Sequence, residues 1–276
     1  MTLPSSATRW ETPAVRAVLF DLDGTLWDPE PHVYRIYAEV FHSHGQELTR
    51  RKWSTVLGTI GFDLWSTLEE LTGRRVDHAA LDAHVARRKE EELSGLGARP
   101  GVSRLLGQAD AAGLARSVVS NSPTDWITRY ARQCGVDRGW HAIHSAEGDT
   151  ARAKPAPHLY REALERLGVR PDEAVAFEDS PNGVRAARAA GVRCVAVPNT
   201  MTHPLDFSHA DLLLTSFAEA ELAEILQAVH SLGHQGAAPP DAGRTPRARR
   251  RAPIPAPPHQ EEHHVRTHGG TRTDTL

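Results

Sequence analysis

Two aspartates one residue apart, Asp21 and Asp23 in FDLDGTLWD, end an apolar run and lead at once into Gly24 and Thr25. On an extended strand side chains alternate faces, so both aspartates share one side while Phe20 and Leu22 point away. Like charges so close repel unless a cation stands between or in front of them. Asp-Gly is also a favoured two-residue hairpin turn, so this stretch alone admits a purely structural reading. Other polar groups end later apolar runs: Ser120 with Asn121 and Ser122, then Glu178 with Asp179. Lys154 precedes Pro155 just before a helical pattern.

Gathered at one place, four carboxylates would destabilise each other without a cation. A hard divalent ion with oxygen ligands resolves this, and Mg²⁺ is the usual choice where phosphate is also bound. A lysine and a hydroxyl add a cationic, hydrogen-bonding half suited to phosphate oxygens, and main-chain amides just after a strand add donors. An aspartate held against phosphorus between metal and lysine can act as a nucleophile. A carboxylate two residues on can protonate the leaving oxygen and then deprotonate the attacking water. Asp21 and Asp23 would then need a common face because they act in turn on one phosphoryl group. Each position has a plainer role too. Ser120 could cap a turn, Lys154 could be an exposed lysine, and Glu178 and Asp179 could cap the helix after Pro181. Lys154 is, however, the last lysine of the chain, where every later basic side chain apart from histidine is arginine. A compact ammonium does what a rigid guanidinium fork does not.

The elements that must position these groups alternate. Runs at 17–23, 114–121, 140–146, 174–179, 192–198 and 211–214 read as short buried strands. Helical patterns lie near 101–112, 123–134, 156–167, 181–190 and 217–230. Strands alternating with helices predict an α/β fold, a Rossmann-like parallel sheet with helices on both faces. Ligands of such sheets bind outside the carboxyl ends of the strands, where the polar groups stand. Between Asp28 and Arg99 only helical segments occur, near 30–44, 49–57, 63–72 and 77–94, which predicts a small inserted α-helical domain. The expected organisation is an N-terminal tail at 1–14, a core at 15–27 and 100–232, a helical cap at 28–99, and a tail at 233–276.

In this order DLDGT (21–25), SNS (120–122), KPAP (154–157) and FEDSPNG (177–183) resemble the four motifs of the haloacid dehalogenase superfamily. The insertion resembles the small cap of the subfamily that includes β-phosphoglucomutase and many phosphatases. The resemblance implies Asp21 as nucleophile and Asp23 as acid/base. It implies that Ser120 and the Asn121 backbone hold phosphate, that Lys154 bridges nucleophile and phosphate, and that Asp21, the Asp23 carbonyl, Glu178 and Asp179 arrange Mg²⁺. A carboxylate at Asp23 argues against haloacid dehalogenation and phosphonate cleavage. The cap-hinge histidine of the mutases falls on Val33, with His32 beside it.

Substrate choice is assigned to the insertion, because a sheet edge that orients phosphate has little left to read the rest of a molecule. Gly58 and Trp65 in LGTIGFDLW, Trp53, the run Arg50–Lys52, and Glu30 in DPEP are the candidate contacts; a packed aromatic and a solvated charged face are the plainer readings of the tryptophans and the basic run. The expected activity is Mg²⁺-dependent hydrolysis of a small phosphorylated metabolite, a sugar phosphate or nucleotide-like monoester, through an aspartyl-phosphate. A phosphomutase and a non-catalytic scaffold retaining the fold are the alternatives.

A formal charge of −3 over 276 residues predicts no specific nucleic-acid or membrane partner for the body of the protein. From Gly233 the chain is rich in Pro, Gly, Arg and His, with seven arginines against four acidic residues, and reads as disordered. Cys134 and Cys194 lack metal-ligand spacing and read as core residues of a reducing compartment. No signal-like leader opens the chain. These features predict a cytoplasmic protein, a monomer or weak dimer.

Overall fold

A computed structural model describes residues 15–54, 56–61 and 63–232. The expected tails at 1–14 and 233–276 lie outside the described residues. Six strands form one parallel sheet: β1 (Ala17–Phe20), β2 (Ala115–Ser120), β3 (Ala142–Ser145), β4 (Ala174–Glu178), β5 (Arg193–Ala196) and β6 (Leu212–Leu213), in the order β3-β2-β1-β4-β5-β6. Each residue of β1, β2 and β4 is buried. That burial on both faces is why these strands read as continuous apolar runs rather than alternating ones.

Along β1, Val18 and Phe20 enter one core while Ala17 and Leu19 enter the other. The first core is closed by α5 (Val102–Ala111), α6 (Thr124–Gln133) and α9 (Leu222–Leu232). The second is closed by α7 (His158–Leu167) and α8 (Pro181–Ala189). Phe20 lies between Val118 and Phe177 in register, so the carboxyl ends of β1, β2 and β4 share one edge. The chain leaves β1 for β2 on one side and reaches β4 on the other, which opens a crevice at that edge.

Between β1 and α5 the chain runs through four helices: α1 (Glu30–Ser43), α2 (Arg50–Ser54), α3 (Leu64–Thr72) and α4 (His78–Leu93). Asp63 caps α3 by accepting from the Trp65 and Ser66 amides, and Asp77 caps α4 through the Ala80 amide. The two crossings into this interval are adjacent: Trp27 bridges to Ala98, and the Arg99 amide donates to the Leu26 carbonyl at 2.8 Å.

Several boundaries differ from expectation by a few residues, and two of the shifts have a visible local cause. The first strand stops at Phe20, and the next residues close a turn in which the Thr25 and Leu26 amides both donate to the Leu22 carbonyl. This is a turn at a parallel-sheet edge, not a hairpin. The last helix starts at Leu222 rather than 217. The Ser216 hydroxyl accepts the Ala218 amide and the Glu219 carboxylate accepts the Thr215 amide, so side chains hold 215–219 out of the helix.

Candidate active site

Asp21 lies one residue beyond β1, where its amide still donates to the Phe177 carbonyl at 3.0 Å. That bond extends the ladder just far enough to aim its carboxylate at the strand-end crevice. Ser120 closes β2, Glu178 closes β4, and Asp179 follows it into the turn that Ser180 caps by accepting the Gly183 amide. Lys154 arrives from the loop before α7. All five are buried.

The centre of the site is an ammonium among carboxylates. Lys154 Nζ donates to Asp21 Oδ1 at 2.5 Å and to Glu178 Oε1 at 2.6 Å. The Tyr160 hydroxyl donates to the same Glu178 oxygen at 2.5 Å. Burial alone would depress the Lys154 ammonium, but Asp21 and Glu178 more than reverse it and hold the pKa above its usual value. Glu178 and Asp179 are both pushed up, chiefly by burial and then by crowding with Asp21. One lysine does not balance this much buried negative charge.

Asp21, Glu178 and Asp179 each offer a ligand oxygen within 4.8 Å of the others. Glu178 Oε2 is buried and accepts no hydrogen bond among the described residues. An all-oxygen donor set with an orphaned carboxylate oxygen fits a hard divalent cation. Asp179 is oriented from behind, where Asn199 Nδ2 donates to its Oδ2 at 2.8 Å. Gly24 has φ +88°, and a Cβ there would run into the Asp179 carboxylate and the Asn199 amide. Arg99 donates to the carbonyls of Gly24, Val197 and Pro198, tying the start of α5 to the loops beneath Asp179.

A cavity of about 260 Å³ opens over this cluster. Its floor is Asp21, Asp23, Ser120, Lys154 and Asp179, and its roof includes Glu30, Val33, Trp53, Gly58 and Lys89 from the helical interval. Asn121 binds floor to roof: Nδ2 donates to the Gly58 carbonyl at 3.1 Å, and Oδ1 accepts the Lys154 amide at 2.8 Å. Glu30 is partly buried and pushed up to about 8, by burial first and then by Asp23 and Asp28. Lys89 is pulled down by burial, an effect opposed by Glu30 and Asp23.

Most of the residues expected from the sequence therefore meet here: Asp21, Asp23, Ser120, Asn121, Lys154, Glu178, Asp179, Glu30 and Gly58. Trp65 does not. It is buried one layer behind the cavity wall, 5.4 Å from the Tyr37 ring, and its Nε1 donates to Asp82 at 2.7 Å. Trp65 shares the buried face of α3 with Leu64 and Leu68, so its indole packs inward. Trp53 lines the cavity, whereas Arg50 sits over the Tyr34 ring. Val33 lines the cavity, and His32 turns away toward Glu92.

Tyr160, Lys89, Trp27 and Trp126 were not expected. Tyr160 and Lys89 are described above. Trp27, Trp126 and the Ser122 hydroxyl all donate to Asp23. Ser122 is one of the strand-end polar groups expected from the sequence, and its hydroxyl turns to Asp23. Tyr160 and Lys89 carry no local signal, since one reads as a core aromatic and the other as part of a charged helix face.

A model of the haloacid dehalogenase-like hydrolases matches residues 15–191. A Bacillus subtilis (strain 168) protein with a provisional phosphatase name, YhcW, is 38% identical over 79% of this chain and 99% of its own. Hexitol phosphatase B of Escherichia coli (strain K12) is 30% identical over 77% of this chain and 97% of its own. The crystal structure of CbbY from Rhodobacter sphaeroides in complex with phosphate superposes with a TM-score of 0.60 at 32% identity, covering 74% of this chain and 96% of that one.

Proposed function

The chain belongs to the haloacid dehalogenase-like hydrolases, and from that premise we propose that it is a Mg²⁺-dependent phosphatase of a small phosphorylated sugar or polyol. The observation that carries this reading is the buried Lys154 ammonium shared between Asp21 and Glu178. It orients the Asp21 carboxylate toward a cavity sized for a small ester. Relatives named for hexitol phosphates support the substrate class. The helices from 28 to 99 act as the cap that covers the bound ester and excludes water until it is seated.

Asp21, Glu178, Asp179 and the Asp23 carbonyl would hold Mg²⁺, which supplies charge neutralisation at the phosphoryl oxygens. Ser120, the Asn121 and Ser122 amides and Lys154 receive the remaining oxygens and place phosphorus against Asp21. An Asp21 carboxylate oxygen forms a bond to phosphorus as the ester P–O bond breaks. The leaving oxygen takes a proton from Asp23 and departs as the alcohol. Asp23, now a carboxylate, takes a proton from water as that water attacks phosphorus. The aspartyl P–O bond breaks, Asp21 is restored and phosphate leaves. Glu30 and Lys89, facing the reacting groups from the roof, read the hydroxyl and charged groups of the remainder of the ester.

Val33 at the cap-hinge position speaks against the mutase reading, since an alkyl side chain cannot manage a proton for a sugar acceptor. Product analysis on a panel of hexitol and sugar phosphates with Mg²⁺ tests the proposal. One free phosphate per alcohol released is expected, and isomerised phosphoester without free phosphate overturns it.

A further inference from the structure

Asp23 is held by three donors that divide unequally between its two oxygens. Oδ1 accepts from Trp126 Nε1 at 2.8 Å and from Trp27 Nε1 at 3.1 Å. Oδ2 accepts from the Ser122 hydroxyl at 2.5 Å. The indoles come from different elements, Trp27 from the turn after β1 and Trp126 from α6. Both pack on Tyr130, with ring centroids 4.2 and 4.4 Å away. Trp27 is fully buried. The aromatic cluster therefore holds both N–H groups toward Oδ1, Trp27 from within the core and Trp126 from the cavity wall.

An indole nitrogen donates and never accepts, whereas a hydroxyl does either. A proton on Oδ1 would face two N–H groups that cannot receive it. A proton on Oδ2 meets the Ser122 oxygen, which accepts it by rotation, or a substrate oxygen that displaces Ser122. Ser122 lines the cavity beside Ser120. From this division of donors we infer that Trp27 and Trp126 are positioning residues that confine the exchangeable proton of Asp23 to Oδ2, the oxygen beside the phosphate pocket. The inference rests on the acid/base reading of Asp23. In the first step the Oδ2–H bond breaks as the leaving oxygen gains the proton, and in the second Oδ2 regains one from the attacking water. Oδ1 stays a pure acceptor throughout, so the carboxyl group need not rotate between steps.

Single-turnover release of the leaving group tests this with two substrates. Para-nitrophenyl phosphate leaves as a stable phenolate and needs no proton, whereas a hexitol phosphate leaves as an alkoxide and does. The ratio of the two rates on one preparation is independent of how much protein is folded, which covers any loss of structure in the tryptophan variants. Asp23→Asn should lower the alkyl-to-aryl ratio by roughly 10²–10⁴, the usual worth of a general acid. The double variant Trp27→Phe/Trp126→Phe, which keeps ring packing and removes both donors, should lower it by about 10-fold or more, with Trp126→Phe alone giving part of that loss. If Asp23→Asn collapses the ratio and the tryptophan variants leave it within about 2-fold of wild type, well under one hydrogen bond's worth, the positioning role is overturned and the acid/base reading stands. If Asp23→Asn itself leaves the ratio unchanged, the acid/base reading falls and the inference falls with it.

Discussion

Lys154 Nζ stands 2.5 Å from Asp21 Oδ1 across 133 residues of chain, with both groups buried. The same ammonium serves Glu178, so one cation organises carboxylates from two neighbouring strands. Removing one partner of a buried pair leaves an uncompensated charge and typically costs about 3–5 kcal/mol. Lys154→Met should accordingly lower Tm sharply and abolish turnover. Lys154→Arg should not restore activity, because a planar fork cannot occupy the place of a compact ammonium. Thermal unfolding with phosphate-release assays checks both, and an active Lys154→Arg enzyme would contradict the account.

Metal binding should be visible without any substrate. A cation that neutralises Asp21, Glu178 and Asp179 binds the folded chain only, and at a hundred times its Kd adds about 2.7 kcal/mol. Calorimetric scans should therefore show Tm climbing with Mg²⁺ concentration in wild type and much less in Asp179→Asn. A wild-type Tm that ignores Mg²⁺ would argue against a metal centre here.

Gly24 is the turn residue that lets the first motif approach Asp179. Its φ of +88° and the collision a Cβ would make with the Asp179 carboxylate both forbid a side chain. Gly24→Ala should raise the Mg²⁺ concentration needed for half-maximal activity by about 10-fold, the equivalent of a 1.4 kcal/mol loss. An unchanged metal requirement would show that this loop has room to adjust.

Glu30 makes stability depend on pH in a stated direction. Its carboxyl rises from 4.5 to about 8 on folding, through burial first and then repulsion from Asp23 and Asp28. The folded chain thus binds this proton more tightly than the unfolded chain does. The stabilisation is complete below pH 4.5 and is lost as pH climbs toward 8. Glu30→Gln has no proton to lose, so its Tm should gain on that of wild type from pH 5 to pH 8. Parallel Tm profiles over that window would place Glu30 in an ordinary solvated environment.

Much of this site was legible in the sequence, for a local reason. Asp21, Ser120, Glu178 and Asp179 stand at the ends of strands whose burial on both faces leaves unbroken apolar runs such as Ala17–Phe20 and Ala174–Glu178. A strand end and its next few residues announce themselves within one short window. What stayed hidden depends on packing between distant elements. Trp126 reaches Asp23 across 103 residues, and nothing near either position marks the contact. Lys89 sits in RRKEEE on α4, a stretch that reads as solvated although the lysine roofs the cavity over Trp126 and Tyr37. At Trp65 the plainer of two readings, a packed aromatic, prevails over a substrate contact. Its place near a glycine turn made a substrate contact conceivable, but it lies on the buried face of α3 with Leu64 and Leu68.

The central claim is that the phosphoryl group passes through Asp21. Rapid acid quench of wild type with a hexitol phosphate and Mg²⁺, followed by peptide mass mapping, measures this directly. One added phosphoryl group on the peptide containing Asp21, absent in Asp21→Asn, is the predicted result. An enzyme that turns over with no phosphorylated peptide at any quench time, or with the label on another residue, would contradict it.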